Sequence, residues 1–252
     1  MSSLDRALPT PADIEATLDA LEQSLALEKL RRYFGHRYWE AETEMAKAAI
    51  DAEGPLPLES VAAHSWYVAD AVVLVGSQIF APGEVDLGRA AAIAVAHDKL
   101  EMFIGDWDPV GDGTGKGTHA FDPARRAEKH MAEERAAEEY LSRLPRRAAE
   151  AQQWLFAQVA EGRSVEARLV GAVDKLVAVV WETARKAGDY EDEGIRFLFA
   201  WTGRAVSCCP EVEPFMTAAL RRLCGSAGAL RGVDGTQLYE RLRVSSQGRL
   251  AA

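Results

Sequence analysis

Residues 94–106 read AVAHDKLEMFIGD, and the rest of the chain is best read outward from them. His97 and Asp98 stand side by side in an apolar run of helical character. Glu101 follows four residues after His97 and three after Asp98, so a helix places it on their face. Asp106 comes just past Gly105. Burying such groups unpaired costs several kcal/mol each. A divalent cation offsets that cost, so the segment points to a metal.

Two further apolar segments each carry one lone ionisable residue of the right kind. SVAAHSWYVADAVVLV (60–75) holds His64, and ARLVGAVDKLVAVVWE (167–182) holds Asp174. By itself a lone His on an apolar helix is more often a core histidine satisfied by one hydrogen bond. Adjacent helix residues point about 100° apart, so His97 and Asp98 reach one ion only by a close, side-on approach. Neighbours on a helix do not face each other, so Asp174 is read as a ligand rather than as the partner of Lys175. His64, His97, Asp98 and Asp174 together make a mixed nitrogen and oxygen set. That set suits one Mn²⁺, Fe²⁺, Co²⁺, Ni²⁺ or Zn²⁺ ion better than Ca²⁺.

The surrounding pattern is helical throughout. Thr10-Pro11-Ala12-Asp13 is a helix start, with Thr as N-cap, Pro in the first turn and an acid three residues on. Ile14, Leu18, Leu21, Leu25 and Leu30 then recur at helical spacing toward Phe34. Residues 36–50 look helical before DAEGPLPLE interrupts the pattern. Further helices are expected near 58–78, 87–104, 124–143, 146–160, 164–187, 191–206 and 212–224. The remainder holds at most one short helix. No segment alternates with a two-residue period, so the chain is expected to be all-α. It reads as one helical bundle over 1–252, with a core of about 10–224 and a tail of 225–252.

Residues 105–123 form a long loop rich in Gly and Asp, directly after the proposed metal helix. Loops of that length in a compact domain are usually functional, and this one is read as an active-site flap. Its GDGTGKGT stretch (111–118) is not a phosphate loop of the Walker type. That pattern needs Gly where Val110 stands and Ser or Thr where Gly117 stands, after a strand. Lys116 remains a candidate for phosphate contact. RRAEKHMAEERAAEEY (125–140) reads as a solvated helix face, with His119 and His130 as loop and surface residues.

Composition narrows the function classes. The chain has 252 residues, 48% of them hydrophobic, enough for a substantial core without disulfides. Cys208, Cys209 and Cys224 show no metal-binding spacing, which fits a reducing cytoplasm. A formal charge of −10 argues against duplex nucleic acid as partner. A small anionic substrate remains compatible, because a metal and a few cations can make a local positive pocket. The N-terminus shows no signal-peptide pattern and no run is apolar enough for a membrane helix, so a soluble cytoplasmic protein is expected.

The order H…HD…D resembles the HD superfamily of metal-dependent phosphohydrolases. ESVAAHSW, HDKLEMFIGDWDP, RRAEKHMAEERAAEEYL and SVEARLVGAVDKL follow one another as in its 5'-deoxynucleotidase-like branch, across roughly residues 20–220. The resemblance implies the metal set already named, with Glu101 orienting or deprotonating water and Asp106 contacting the leaving oxygen. It implies removal of phosphate from a nucleoside 5'-monophosphate or a related small ester. Alternatives are hydrolysis of a nucleoside triphosphate or pyrophosphorylated nucleotide, or a non-catalytic regulatory protein of this fold. Two departures matter. Ala63 stands where the family often has an acid. Gly35-His36-Arg37-Tyr38-Trp39, the nearest match to its sugar-reading element, lies about twenty residues ahead of Glu59, so Arg37 and Trp39 are offered as substrate contacts on a remodelled wall. A homodimer is expected, partly from the resemblance and partly from the apolar IRFLFAW and EPFMTAALRRL segments.

Overall fold

A computed structural model of the chain describes residues 8–32, 57–111 and 113–246. The helix expected over 36–50, with Arg37 and Trp39, lies outside them. The described residues form helices joined by loops, with no strand among them beyond two isolated bridges, Arg31 to Ser60 and Pro82 to Val85. The all-α expectation therefore holds.

The first helix, α1 (Pro11–Ser24), starts as the sequence predicts. Thr10 Oγ1 accepts the Asp13 N–H at 3.2 Å, and the Asp13 carboxylate accepts the Thr10 N–H at 2.9 Å. Its apolar stripe, however, stays outside: Ile14, Leu18, Leu21 and Leu25 are exposed. A short α2 (Ala26–Lys29) follows and leads into the Arg31–Ser60 bridge.

The core is built around α8 (Val165–Lys186), whose Leu169, Val173 and Val179 are fully enclosed. Against it pack α3 (Val61–Ile79), α4 (Leu87–Ala96), α9 (Asp192–Cys208) and α10 (Glu213–Arg231). Caps set where these helices begin. Ser60 accepts from Ala63 N–H to start α3, Asp86 from Arg89 N–H to start α4, and Ser164 from Ala167 N–H to start α8. On the other flank α6 (Pro123–Ser142) and α7 (Arg146–Glu161) close a smaller cluster of Ala96, Tyr140 and Phe156.

Three points go beyond the sequence reading. The helix predicted over 87–104 breaks after Ala96 and resumes as α5 (Glu101–Ile104). His97 Nδ1 takes the Ala94 carbonyl at 2.6 Å, and the turn continues by i−3 bonds, Lys99 to Ala96 and Glu101 to Asp98. A side chain that captures a main-chain carbonyl competes with the helical ladder. Second, α10 runs on past residue 224 to Arg231, and α11 (Gly235–Ser246) packs against it. Gly228 and Gly235 make this approach feasible, since a methyl at Gly228 would lie 2.7 Å from the Val233 carbonyl oxygen. Third, Ile195, Phe197, Leu198 and Phe199 of α9 and Met216, Leu220 and Leu223 of α10 are buried in the chain's own core. The apolar segments that suggested a dimer are thus accounted for within one chain.

Two glycines of this fold should respond oppositely to the same change. Gly188, at φ +84°, would set a methyl 2.3 Å from the Ala227 nitrogen. Gly188→Ala is expected to lower Tm by about 4 °C or more, given about 1–3 kcal/mol for such backbone strain alone. Gly171, on the exposed side of α8, has open space around it. Gly171→Ala is expected to raise Tm by about 2 °C, because a helical Gly costs roughly 0.5–1 kcal/mol relative to Ala. Differential scanning calorimetry of both variants checks the pair.

Candidate metal centre

Three elements bring the four predicted ligands together. α3 delivers His64, the turn between α4 and α5 delivers His97 and Asp98, and α8 delivers Asp174. His64 is fully buried and its Nε2 lies 2.8 Å from Asp174 Oδ1 and 3.7 Å from Asp98 Oδ2. His97 Nε2 lies 3.0 Å from Asp98 Oδ2 and 3.9 Å from Asp174 Oδ1. Ligand atoms of His64, His97 and Asp98 fall within 4.8 Å of one another, and Asp174 joins from α8 through Oδ1. Bonds of ~2.0–2.2 Å to one ion set its adjacent ligand atoms about 3 Å apart and opposite ones about 4 Å apart. The observed separations fall in that interval.

The ring orientations fit the same purpose. His97 Nδ1 spends its proton on the Ala94 carbonyl, which leaves Nε2 with a lone pair directed at the cluster. That Nε2 is buried and makes no hydrogen bond among the described residues. The break in the helix answers the side-on problem, because His97 and Asp98 sit on a turn rather than on a regular helix.

Electrostatics hold the cluster in its ionised form. Burial disfavours charge on the His97 ring, but the Asp98 carboxylate beside it and Asp174 outweigh burial and raise its pKa. Asp98 is pulled well below the usual carboxylate range: burial opposes this, and the electrostatic pull of the adjacent His97 ring, helped by His64, prevails. Asp174 is lowered likewise, against burial, by Lys175 and by the two imidazoles. Two carboxylates kept ionised against burial, facing two ring nitrogens, form a donor set that fits a divalent transition cation.

Lys175 corrects one step of the sequence argument. Its ammonium pairs with Asp174 Oδ2 although the two are adjacent. A lysine stem is long enough to fold back, and the ammonium also lies 4.5 Å over the Trp201 ring. Asp174 serves both, with Oδ1 facing the histidines and Oδ2 facing Lys175.

Glu101 and Asp106 are nearly enclosed beside the cluster. Burial raises the Glu101 pKa well above the ordinary value, and the neighbouring Asp98 and Asp106 charges add to it, against Lys129 and Arg32. Glu101 Oε2 makes no hydrogen bond among the described residues. Lys116 stands on an exposed part of the loop. The loop itself is anchored: Arg204 donates to the Ala120 carbonyl at 2.6 Å, and Gly115 fits against Phe121 and Phe197.

Sequence reading missed three residues here. Lys129 belongs to the helix read as a solvated face, yet its ammonium lies 3.9 Å from Glu101 Oε1 and 3.4 Å from Glu133 Oε1. A signal was available, since Lys129 precedes the buried Ala136 and Tyr140 by seven and eleven residues and shares their stripe. Glu59 stands behind His64, with Oε2 3.3 Å from Nδ1, and Arg32 Nε lies 3.6 Å from the same oxygen. The bridge that pairs Arg32 N–H with the Glu59 carbonyl holds this arrangement, and no spacing in the sequence announces it. The carboxylate that Ala63 does not supply is thus present from five residues before His64.

A family model described as an HD domain matches residues 47–211, a range that contains His64, His97, Asp98, Glu101, Asp106 and Asp174. The fold is similar to the crystal structure of a predicted metal-dependent phosphohydrolase from Magnetospirillum magnetotacticum MS-1, with TM-score 0.55 and 19% identity, covering 85% of this chain and 97% of that one. A conserved hypothetical protein from Pyrococcus furiosus aligns at TM-score 0.49 and 20% identity, over 82% of this chain and 98% of its own. No curated protein matches the chain significantly.

Elemental analysis of purified protein is expected to find about one divalent metal ion per chain, absent in His97→Ala and Asp174→Ala. Glu59→Gln should keep the fold and weaken metal affinity about 10–100-fold, the usual effect of removing a carboxylate behind a ligating histidine. Full metal occupancy in both ligand variants would refute the assignment, and unchanged affinity in Glu59→Gln would refute the role of Glu59.

Proposed function

The chain belongs to the HD domain family, and from that premise we propose that it is a metal-dependent phosphohydrolase acting on a small phosphate monoester, with a nucleoside 5'-monophosphate as the favoured substrate. The observation that carries this reading is the convergence of His64 Nε2 and His97 Nε2 on Asp98 and Asp174, with the lone pair of His97 Nε2 directed inward. A predicted metal-dependent phosphohydrolase also stands among the proteins of similar fold. The intact donor set speaks against a regulatory protein that has lost its chemistry.

His64, His97, Asp98 and Asp174 would hold the ion, which supplies positive charge to the phosphoryl group and acidifies water. The remaining work falls to the chain. Glu101 is kept out of solvent, with one carboxylate oxygen toward Lys129 and the other unpartnered. Burial and the neighbouring acids raise its pKa, which makes it a better proton acceptor than an ordinary carboxylate. Asp106, nearly enclosed at the start of the loop, is the group we assign to the leaving oxygen. Lys129 and Lys175 flank the acids and limit the repulsion that an incoming phosphate meets. Phosphoryl transfer needs little beyond such positioning and charge complementarity.

Phosphate release from nucleoside monophosphates is expected to require metal, to cease with EDTA and to return on adding Mn²⁺, Co²⁺ or another first-row ion. Glu101→Gln and Asp106→Asn should keep metal and fold while kcat drops about 10²–10⁴-fold, the range for a lost general acid or base. A variant that retains near wild-type kcat removes its residue from the mechanism. Metal-independent turnover would overturn the reading itself.

A further inference from the structure

Asp174 meets two kinds of partner. Its Oδ1 lies 2.8 Å from His64 Nε2 and 3.9 Å from His97 Nε2. Its Oδ2 accepts from the Lys175 ammonium. Adjacent residues on a helix do not face each other, so this pairing requires Lys175 to fold back over its own turn. Ordering a lysine in that way costs conformational entropy, and the side chain is still 28% exposed. A second partner has to hold it there.

Trp201 is that partner. The ammonium lies 4.5 Å over its ring, and tryptophan offers a cation the most favourable aromatic face. Trp201 belongs to α9 rather than α8, and other rings fix it from behind. It stacks on Phe197, with centroids 5.6 Å apart and planes at 22°. Phe197 is fully buried and meets Phe121 edge to face at 5.7 Å. Gly115 leaves room for this pair, since a methyl there would lie 2.5 Å from the Phe197 ring and 2.8 Å from Phe121. Three rings in series thus run from the loop to the ammonium, and tertiary packing places Lys175 against Asp174.

We propose that Trp201 and Lys175 form a clamp that reserves one oxygen of Asp174, so that this carboxylate offers the ion a single oxygen and a coordination position stays open. The proposal rests on the metal assignment but not on any substrate. A carboxylate can hold a cation through one oxygen or through two, and a catalytic metal site needs a position free of protein ligands. A second oxygen from Asp174 would compete for that position. The Lys175 charge also opposes another cation across the same carboxylate. The clamp therefore has a definite sign: it loosens the hold on the ion while keeping the site open. A lysine that only supported the fold, or only steadied Asp174 as a ligand, would have the reverse effect, and its loss would weaken binding. Lys175 and Trp201 are positioning residues, because both act through Asp174.

The test uses Mn²⁺ alone, with no substrate. Wild-type, Lys175→Met, Lys175→Arg, Trp201→Leu and Trp201→Phe proteins are equilibrated with chelator-buffered Mn²⁺. Occupancy gives the affinity, and the relaxation rate of water protons per bound ion reports how many positions solvent reaches. Lys175→Met keeps the stem and drops the charge. It is expected to bind Mn²⁺ at least about tenfold more tightly and to relax water less, because Oδ2 then takes a solvent position. Trp201→Leu should move both readouts in the same direction by a smaller amount, while Lys175→Arg and Trp201→Phe stay near wild type. Equal or weaker binding in Lys175→Met overturns the proposal. Tighter binding with unchanged relaxation also overturns it, since Lys175 would then act by charge alone. Wild-type readouts in Trp201→Leu overturn the clamp as well. Should Lys175→Met fail to fold, the two Trp201 variants decide. A wild-type protein that binds no Mn²⁺ would defeat the metal centre and the clamp together. The expected shifts in a protein that hydrolyses no phosphate ester would support the clamp and defeat only the phosphohydrolase reading.

Discussion

The structure depends on burying two imidazoles and two carboxylates at one junction of helices. An isolated ionised group in such a place is prohibitively costly, and leaving one member of a buried pair alone typically costs about 3–5 kcal/mol. Here each carboxylate meets an imidazole, and His64 reaches both Asp98 and Asp174 from another helix. His64 of α3 meets Asp174 of α8 at 2.8 Å, and His97 meets Asp98 at 3.0 Å. The same contacts that make burial tolerable therefore lock α3, the α4–α5 turn and α8 to one another. A divalent cation fits this arrangement because it offers positive charge to both carboxylates and accepts the lone pairs of the imidazoles.

From that constraint the rest of the site follows. The main chain yields at His97, whose ring captures the Ala94 carbonyl, so that two adjacent residues reach one point. Behind His64, Glu59 and Arg32 continue the alternation of charge toward the bridge at Ser60. On the opposite side Lys129 answers Glu101, which itself stands close to Asp98 and Asp106. The smaller core of Ala96, Tyr140 and Phe156 fixes α6 where Lys129 must stand. Packing and charge are thus two aspects of one arrangement: the apolar stripe of α6 sets how deeply a lysine is placed, and the acids explain why it remains charged there.

The loop after α5 shows how position and mobility separate. It carries glycines at φ from +59° to +91°, conformations that other residues rarely adopt. Yet Arg204 and Arg126 hold its Ala120 carbonyl, and Gly115 lies against two phenylalanine rings. The glycines here serve a fixed, tightly turned path over the core. That path brings Trp107 and His119 to face a cavity beside Asp106 while leaving Lys116 outside it.

The sequence by itself determined the helical class, the starts of α1 and α8, and the residue types of the centre. Those features are local: a cap, a 3.6-residue period, or an ionisable group stranded in an apolar run is visible without knowing what lies opposite. It also led to errors where local geometry was the whole argument, as with the unbroken helix through His97 and the separation of Asp174 from Lys175. Only the tertiary structure decided that Glu59 stands behind His64, that Lys129 turns inward, and that Trp107 and His119 share a cavity with Asp106. Each of these depends on how helices far apart in the chain pack together. A free-energy balance over the whole core sets that approach, and no single segment encodes it.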